Sequence, residues 1–492
     1  MHNKTISHPL YVFVPLLLFV IGFGCKKAFE EPPTVEIITP QENDIVSGTV
    51  PVVASVYGDT EGGTLKLLID SVEVASTSEA HLAYKWHTDT LENESVHFIR
   101  AEFTKDGNTY PSDEISVMVL NDTITITWSK HIVGAIFSSV GVDNSGNLYV
   151  GSDDSYVYAL DSNGNILWSY KTGGSVYSAI SIDDNGNIYF GSDDGYVYSL
   201  DNSGNLRWRF KTNAPVYSSV AIAANSNIYV GSCDSCLYSL DNQGNLLWRK
   251  NLNGAVFSTP AITSNGNIWV ATDNGTIYLL SSNGDVIYSR KLSYPVIASL
   301  SIGKEDEVYI GTYGGDMITI FENGAFGPYA NLNEGIVHAS IIIGNDGAIY
   351  VISTVIDQKL YSPVDIIKGK VFGTYSYIYA FNASSYGHAQ ERFVVMVPSM
   401  ILSTPLITSD NKLIVGSVNG ELLIISPDGA ISKKIVLSNS PIKSPITLTS
   451  DGNIYVGAED GYLYSLKTPL KPAYEGWPQF GFNSKHIFRR GQ

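Results

Sequence analysis

The chain of 492 residues is poor in cysteine, in positive charge and in long apolar runs. Its three cysteines are Cys25, Cys233 and Cys236, too few for a disulfide framework or for a zinc site built from two ligand pairs. Lysine and arginine number 30 against 48 aspartates and glutamates, a formal net charge of −18. Such a charge repels phosphate backbones and anionic lipid headgroups, so nucleic-acid binding is not expected.

Sequence motifs of the common enzyme classes are also absent. The chain contains no G-x-S-x-G, H-E-x-x-H or P-loop pattern, and its nine histidines do not cluster. The frequent Asp-Asn-Gly turns lack the twelve-residue spacing and the final glutamate of a calcium-binding loop. We therefore predict no catalytic residue, no metal ligand and no cofactor, and a protein that is not an enzyme.

The one long apolar run, residues 10–23, is too short for a comfortable membrane span and fits the core of an export signal over residues 1–25. It ends in Gly24-Cys25, which resembles the lipobox of bacterial lipoproteins, although Gly22 stands where leucine is usual. The resemblance implies lipidation at Cys25 and an outer-membrane lipoprotein, on either side of that membrane, anchored by acyl chains alone. An ordinary secretory signal with a chance cysteine is the alternative.

A small β-sandwich is predicted for residues 34–121, after a short tether at residues 26–33. Short apolar runs there lie between turn signals such as Asp106-Gly107-Asn108. Residues 35–40 (VEIITP) followed by 47–50 (SGTV) resemble bacterial immunoglobulin-like domains. We interpret the domain as a spacer with Trp86 in its core; an adhesive or sugar-binding module is the alternative.

A repeat dominates the rest of the chain. NLYVGSDD at residues 147–154 recurs as NIYFGSDD at 187–194 and as NIYVGSCD at 227–234. A period near forty, made of short strands and Asn, Asp and Gly turns, is typical of a β-propeller. Within one unit we predict four antiparallel strands, at residues 176–182, 188–191, 196–200 and 206–210.

The predicted fold is therefore all-β, with an eight-bladed propeller at residues 122–466 behind the sandwich. The last unit lacks an outer strand, and residues 124–128 (ITITW) are expected to supply it and close the ring. The tail, residues 467–492, is expected to pack on the propeller. The count of eight comes from the residues that end each second strand, namely Gly151, Gly191, Gly231, Ala271, Gly311, Ile352, Gly416 and Gly457.

The segment ALDSNGNILW at residues 159–168 resembles the tryptophan-docking repeat of the pyrroloquinoline-quinone (PQQ) propeller family. Equivalent copies carry Trp208 and Trp248, and Trp128 stands forty residues before Trp168. The resemblance implies that each of these four tryptophans docks its blade onto the next one.

The quinoprotein dehydrogenases of that family resemble one another in a pair of adjacent cysteines over the cofactor, in calcium ligands and in an aspartate base. In this chain Cys233 and Cys236 are separated by two residues and fall on a hairpin turn. Because the adjacent pair is missing, we expect that the protein binds no quinone. In an exported protein these two residues are a candidate disulfide. A metal or redox role for the C-x-x-C pattern is the alternative.

One face of the propeller is the predicted binding face. The blade-to-blade connections and the loops between second and third strands emerge there, and the sixth unit adds an insertion at residues 353–376. His338 and Lys443 break the pattern of their inner strands and are expected to line the funnel. A tolerated insertion without function is the alternative. The candidate binding residues of the insertion are Asp357, Lys359, Tyr361, Asp365, Lys368, Lys370 and Tyr375.

Aromatic residues also recur at one position of the first four inner strands. We interpret them as packing between blades; stacking on sugar rings at the funnel mouth is the alternative. They are Phe137, Tyr177, Tyr217 and Phe257.

These features predict a monomeric, non-enzymatic binding or scaffold protein of the bacterial cell envelope. Its architecture is similar to that of the propeller lipoproteins of the outer-membrane β-barrel assembly machine. The expected partners are envelope proteins or glycans, bound through the face that carries the insertion. Capture of a surface glycan or another macromolecule, and a PQQ-dependent oxidoreductase, are the alternatives.

Overall fold

The structure is a computed structural model. It describes residues 32–46, 49–88, 91, 95–119, 124–332, 335–356, 373–382, 387–473 and 483. The chain divides into two compact units, Met1–Asn121 and Asp122–Gln492. No helix long and apolar enough to cross a membrane occurs within the described ranges. The export signal, Cys25 and the tether lie outside them.

The described residues of the first unit form nine strands in two sheets. One sheet has the order β1-β3-β6 and the other the order β2-β9-β7-β4-β5, with β8 paired to β7. The inner faces of both sheets share one apolar core, in which Trp86 is 6% exposed. The strands are β1 (Thr34–Thr39), β2 (Ile45–Val46), β3 (Thr49–Tyr57), β4 (Thr64–Ile69), β5 (Val72–Thr77), β6 (His81–His87), β7 (Ser95–Lys105), β8 (Asn108–Pro111) and β9 (Ile115–Val119).

A hydrogen-bonded chain of side chains ties the β4–β5 hairpin to β7. The carboxylate of Asp70 accepts hydrogen bonds from the backbone N–H of Phe98 at 3.0 Å and from Nδ1 of His97 at 2.6 Å. Nε2 of the same imidazole lies 2.7 Å from Oγ of Ser95. The His97 ring also meets Trp86 edge-on, with 5.4 Å between ring centroids. The chain therefore joins a turn, a strand and the core of this domain.

The second unit holds eight antiparallel sheets among its described residues. Its first strand is β10 (Thr125–His131). The next four sheets are β11–β14 (Gly141–Val142, Leu148–Gly151, Tyr156–Leu160, Ile166–Lys171), β15–β18 (Ser181–Ile182, Ile188–Gly191, Tyr196–Leu200, Leu206–Lys211), β19–β22 (Ala221–Ile222, Ile228–Gly231, Cys236–Leu240, Leu246–Asn251) and β23–β26 (Ala261–Ile262, Ile268–Ala271, Thr276–Leu280, Val286–Lys291).

The remaining sheets follow the same plan with two departures. Strand β34 joins the fifth sheet in parallel beside β30, and β10 becomes the outer strand of the eighth. The strands are β27–β30 (Ser301–Ile302, Val308–Gly311, Asp316–Ile320, Phe326–Asn331), β31–β33 (Ile342–Ile343, Ile349–Ile356, Gly373–Asn382), β34 (Gly387–His388), β35 (Gln390–Val397), β36–β39 (Leu406–Ile407, Leu413–Gly416, Glu421–Ile425, Ile431–Val436) and β40–β42 (Thr447–Leu448, Asn453–Gly457, Tyr462–Lys467). The sixth sheet has the order β31-β32-β33-β35.

Ring closure occurs as predicted, because β10 pairs antiparallel with β42. Behind this pairing, the first sheet packs on the eighth. The hydroxyl of Thr447 donates to the carbonyl of Val140 at 2.8 Å, and Ile136 lies directly over Gly457, where a Cβ would overlap its side chain. The pairing of β10 with β42 therefore joins the start and the end of the described propeller, and it removes the edge that β42 would otherwise leave open.

The inner strands are shorter than predicted. The second sheet begins with β15, only two residues long, and residues 176–180 lie outside the ladder. A side chain replaces the missing backbone pairing. The hydroxyl of Ser178 donates to the carbonyl of Gly191 at 3.0 Å and accepts its N–H at 2.9 Å. Because a serine hydroxyl satisfies these groups, the chain can run toward the axis without a longer strand.

The turns between first and second strands are built around one carboxylate. In the second sheet, the Asp183 carboxylate accepts the N–H groups of Asn185 and Asn187, the side-chain amide of Asn187 and the hydroxyl of Tyr189, all within 2.9 Å. These bonds explain the recurring Asp, Gly, Asn and Tyr of the repeat. They give the turn residues a structural role.

In the fifth sheet the carboxylate that holds this turn comes from the last turn residue and not from the first. Gly303 stands in place of the aspartate, and Glu307 stands in place of the asparagine. The buried Glu307 carboxylate accepts the N–H of Glu305 at 2.7 Å and the hydroxyl of Tyr309 at 3.1 Å. Burial raises the pKa of Glu307 above its usual value. The glycine is required because a Cβ at position 303 would overlap this carboxylate.

We expect Gly303→Ala to lower the free energy of unfolding by about 2–3 kcal/mol, because the methyl group displaces a buried, hydrogen-bonded carboxylate. The exchange of both residues, Gly303→Asp with Glu307→Asn, rebuilds the pair seen at Asp183 and Asn187. It should be more stable than Gly303→Asp alone. Urea unfolding followed by tryptophan fluorescence measures each variant, and a Gly303→Ala protein as stable as the wild type would contradict this account.

Candidate functional site

Eight turns line one end of the propeller, and one repeated backbone bond places them. In each sheet one backbone N–H donates to the connection that enters the same sheet. The donor is usually the second residue after the second strand: Asp153 donates to Ala135 at 3.1 Å and Asp193 to Ser175 at 2.9 Å. In the sixth sheet Thr354 takes this position and donates to Ile336. We call the eight donors the turn ring: Asp153, Asp193, Cys233, Asp273, Tyr313, Thr354, Val418 and Glu459.

A second ring lies beside the turn ring at the mouth of the funnel. In each blade one residue packs over the end of a neighbouring second strand, as Val176 packs over Gly151. The mouth-ring member is the next residue in the sequence, here Tyr177. The two rings touch where the hydroxyl of Tyr217 donates to the carboxylate of Asp193 at 2.6 Å. We call the second set the mouth ring: Phe137, Tyr177, Tyr217, Phe257, Ile297, His338, Leu402 and Lys443.

The aromatic members of the mouth ring form a continuous arc. Successive ring centroids are 5.6 Å apart from Phe137 to Tyr177, 5.9 Å from Tyr177 to Tyr217 and 6.1 Å from Tyr217 to Phe257. Tyr217 and Phe257 are each 8% exposed, whereas Phe137 and Tyr177 are half-buried. The arc therefore packs across neighbouring blades and also shows part of two rings to solvent.

His338 belongs to the mouth ring, and a backbone bond fixes its place there. The N–H of Val337 donates to the carbonyl of Thr312, the bond that Val176 makes to Ser152. Val337, not Ile336, is therefore the equivalent of Val176 in the segment that leads into β31. The longer connection before it, between Leu332 and Val337, hides the shift in the sequence. His338 consequently occupies the aromatic position, not the serine position.

The His338 imidazole is enclosed by the inserted hairpin. Its Nε2 lies 3.2 Å from the hydroxyl of Thr354, and burial lowers its pKa to about 4. The side chain is therefore uncharged at neutral pH.

A pH dependence of stability follows from this imidazole. The folded pKa lies below the unfolded value, so the folded state binds the proton less tightly and stability is lost as the pH falls below about 6.5. Between pH 7 and pH 5 the loss should reach about 2 kcal/mol. In His338→Phe, which takes the residue type of Phe137 and Phe257, this part of the dependence should vanish. Equal pH profiles in urea unfolding would contradict it.

Lys443 closes the aromatic arc on the eighth blade. Its ammonium lies 5.7 Å from the centroid of Phe137 and forms an ion pair with Glu459 at 2.9 Å. The side chain is only 9% exposed, so the charge is held in place by these contacts. His338 and Lys443 therefore belong to the same mouth ring, and their place in the lining of the funnel stays a prediction.

The fifth to seventh blades give the mouth an apolar side. Ile297, Ile336 and Met400 are buried in one cluster that also includes Tyr217 and Phe257. Partly buried residues packed against this cluster are Tyr177, Cys233, Ala255, Tyr313, Leu402 and Val418.

The ends of the insertion are strands, not loop. Strands β32 and β33 extend past the usual turn, pairing Ser353 with Tyr377 and Val355 with Tyr375. At the base of this hairpin, Thr354 Oγ1 donates to the carbonyl of Ile401 at 2.9 Å. The hairpin is thereby fixed to the mouth. Tyr375 stacks edge-on with Tyr377 at 5.5 Å. The other candidate residues, Asp357, Lys359, Tyr361, Asp365, Lys368 and Lys370, lie outside the described residues.

The four tryptophans of the repeat contact the next blade in the same way. The indole N–H of Trp168 donates to the carbonyl of Asn202 at 3.0 Å, and its ring covers Gly204. Trp128, Trp208 and Trp248 donate to Ser162, Asn242 and Ser282 at 2.8–2.9 Å.

Two further aromatic residues continue this series without being tryptophan. Tyr288 covers Gly324, and Phe393 covers Gly429. Sequence reasoning missed Phe393 because insertions precede it in the sixth unit. The spacing to a glycine could have identified Phe393 in the sequence. Each docking aromatic stands thirty-six residues before the glycine that it covers, as Trp168 does before Gly204.

Comparison with known proteins places this architecture. Residues 114–232 and 193–326 match the family model described as outer membrane protein assembly factor BamB. The propeller resembles BamB. Residues 33–101 match the model of a bacterial Ig domain. Both resemblances read from the sequence, to PQQ-type propellers and to immunoglobulin-like domains, are confirmed.

Two solved structures share the fold at low sequence identity. BamB from Moraxella catarrhalis superposes with a TM-score of 0.57 at 15% identity, over 70% of this chain and 100% of that one. The computationally designed protein Ika8 gives a TM-score of 0.55 at 17% identity, over 70% and 98%. No curated protein sequence matches the chain significantly.

The cysteines do not fit a quinone held as the PQQ resemblance would imply. Cys233 is part of the turn ring, whereas Cys236 is buried in β21 with its Sγ 3.8 Å from the carbonyl of Asp234. Burial raises the pKa of the Cys236 thiol. The two thiols are therefore not side by side over the funnel, nor are they joined in this structure. The Cys233–Cys236 disulfide stays a prediction.

Proposed function

We propose that this protein is a non-enzymatic scaffold of the bacterial cell envelope that binds other envelope proteins through the mouth of its propeller. The propeller has eight blades, and the chain is held at the outer membrane by lipid on Cys25. The immunoglobulin-like domain is a spacer. The observation that carries this proposal is the fixed hairpin base on the sixth blade, at the same mouth to which half-buried Phe137 and Tyr177 contribute from the first and second blades. It makes a specialised surface on one face of an otherwise regular ring.

Similarity to the BamB family supports an envelope role, because the family description names an outer-membrane assembly factor. The added immunoglobulin-like domain and the hairpin distinguish this chain from a plain propeller. We therefore propose the class of function, protein binding at the envelope, and a partner surface that includes residues 357–372.

Chemical cross-linking in intact envelopes tests the scaffold. The full chain should be recovered with specific envelope proteins, and deletion of residues 357–372 should reduce that recovery. The hairpin base at Thr354 and Ser376 stays intact in this variant, so the mouth keeps its shape. Unchanged partners after the deletion would show that the binding face lies elsewhere.

Capture of a glycan is the second candidate, favoured by the partly exposed faces of Phe137 and Tyr177, since aromatic rings stack well on sugars. Retention on immobilised envelope polysaccharide, lost in Tyr177→Leu, would support it.

A quinoprotein activity is tested directly: addition of PQQ and Ca²⁺ should give neither bound quinone absorbance nor dye-linked alcohol or sugar oxidation.

A further inference from the structure

Charge is distributed unevenly around the mouth. The carboxylates of the turn ring are Asp153, Asp193, Asp273 and Glu459, on the first, second, fourth and eighth blades. The aromatic arc covers the same side, on blades one to four. Blades five to seven contribute apolar residues and the uncharged His338. One side of the mouth is thus both acidic and aromatic, and the other is apolar.

The two rings contain one ammonium against four carboxylates. That ammonium, on Lys443, is already paired with Glu459. At Asp153, burial and the nearby carboxylates of Asp154 and Glu459 raise the pKa of the side chain. A positive charge placed at this side would relieve the repulsion, and the formal net charge of −18 favours approach of a basic ligand from a distance.

The neighbouring aspartates of the same turns have a different, structural role. Asp154 accepts the hydroxyl of Tyr158 at 2.7 Å, and Asp194 accepts that of Tyr198 at 2.7 Å. These carboxylates hold the turns closed. The turn-ring residue Asp193 beside Asp194 instead contacts the mouth ring, through the bond from Tyr217.

The spacing of the arc indicates the shape of the ligand. Centroids of neighbouring rings lie 5.6–6.1 Å apart, close to the roughly 7 Å that separates alternate side chains of an extended peptide. Guanidinium groups lie flat on aromatic rings and pair with carboxylates, so an extended segment with arginine at alternate positions matches both features.

We propose that the acidic and aromatic side of the mouth binds a basic extended segment of a partner protein, with cationic side chains over Phe137 and Tyr177 and paired with Asp153 and Asp273. This inference rests on the proposed scaffold function and names the chemistry of its partner.

A matched pair of labelled nine-residue peptides tests the inference on the full chain by fluorescence anisotropy. One alternates glycine with arginine and the other alternates glycine with glutamate. The arginine peptide should bind, and its affinity should fall several-fold between low salt and about 0.3 M NaCl. The glutamate peptide should not bind. Equal binding of both peptides would overturn the inference.

Variants locate the site. Asp153→Asn with Asp273→Asn should weaken the arginine peptide about tenfold. The control, Asp285→Asn with Asp428→Asn, changes net charge equally in turns between third and outer strands, which emerge at the opposite face, and should leave affinity unchanged. Tyr177→Leu should weaken binding several-fold, whereas Tyr177→Phe, which keeps the ring, should not.

Each outcome separates this inference from the scaffold function. Equal weakening by the mouth pair and the control pair would indicate non-specific attraction and overturn the site. Binding of cellohexaose, with no arginine-peptide binding, would favour the glycan alternative. If the arginine peptide fails to bind but envelope cross-links persist, the partner chemistry is wrong and the scaffold stands. Loss of specific cross-links would instead count against the scaffold itself.

Discussion

Gly204→Ala should lower the free energy of unfolding by about 4 kcal/mol, since it adds strain and a clash at one point. Gly204 has a φ of +82°, and a Cβ there would lie 2.6 Å from Cδ2 of Trp168. The indole cannot move aside freely, because its N–H is bonded to the carbonyl of Asn202. The added methyl would therefore push the first blade away from the second. Urea unfolding of the full chain measures the loss.

Gly266→Ala is the matched control for this variant. Gly266 has a φ of +85°, and among the described residues no atom lies within 4 Å of a Cβ at that position. The control carries the backbone strain alone and should cost about 1 kcal/mol. The difference between the variants measures the contact of Trp168 with the next blade. Equal losses would mean that the tryptophan does not hold the blades together.

Lys130→Pro should cost about 3–4 kcal/mol and make the propeller unfold less cooperatively. Lys130 lies in β10 opposite Leu463 of β42, in register with the backbone bond from Ile132 to Gly461, so its N–H points into the pairing. Proline removes a backbone N–H and its ring disturbs the pairing, so the strand that closes the ring loosens. With this pairing weakened, the eighth blade gains an exposed edge.

Lys130→Ala serves as the control at the same partly exposed position. It keeps the backbone N–H and should change stability by less than about 0.5 kcal/mol. Thermal unfolding followed by circular dichroism and by tryptophan fluorescence compares the variants. If the proline variant melts at the wild-type temperature, the β10–β42 pairing contributes little to closure.

The regular part of the propeller could be predicted from the sequence because its causes are local. Short apolar strands, Asp and Asn turns and a fixed period specify each four-stranded sheet. Ring closure could also be predicted, since residues 124–128 had no partner within their own unit, while the last unit lacked a strand. The inner strands could not be bounded, because Ser178 and its equivalents replace ladder bonds with side-chain bonds that resemble strand in sequence.

The irregular sixth blade was harder to predict, since its departures depend on tertiary contacts. The register of His338 is decided by the bond from Val337 to Thr312 on the preceding blade. The hairpin extension is decided by the contacts of Thr354 with Ile336 and Ile401. His338 and Lys443 could be singled out in the sequence because they break the repeat pattern. The turn ring and the mouth ring could not, because contacts between blades define them.

Site-specific photo-cross-linking tests the central claim most directly. A photoreactive residue replaces Tyr294, which is 45% exposed in the connection between the fourth and fifth blades, or Asp285 at the opposite face. The account predicts discrete protein adducts in intact envelopes from position 294, reduced by deletion of residues 357–372, and none from position 285. Adducts from position 285 alone would contradict the assignment of the mouth as the binding face.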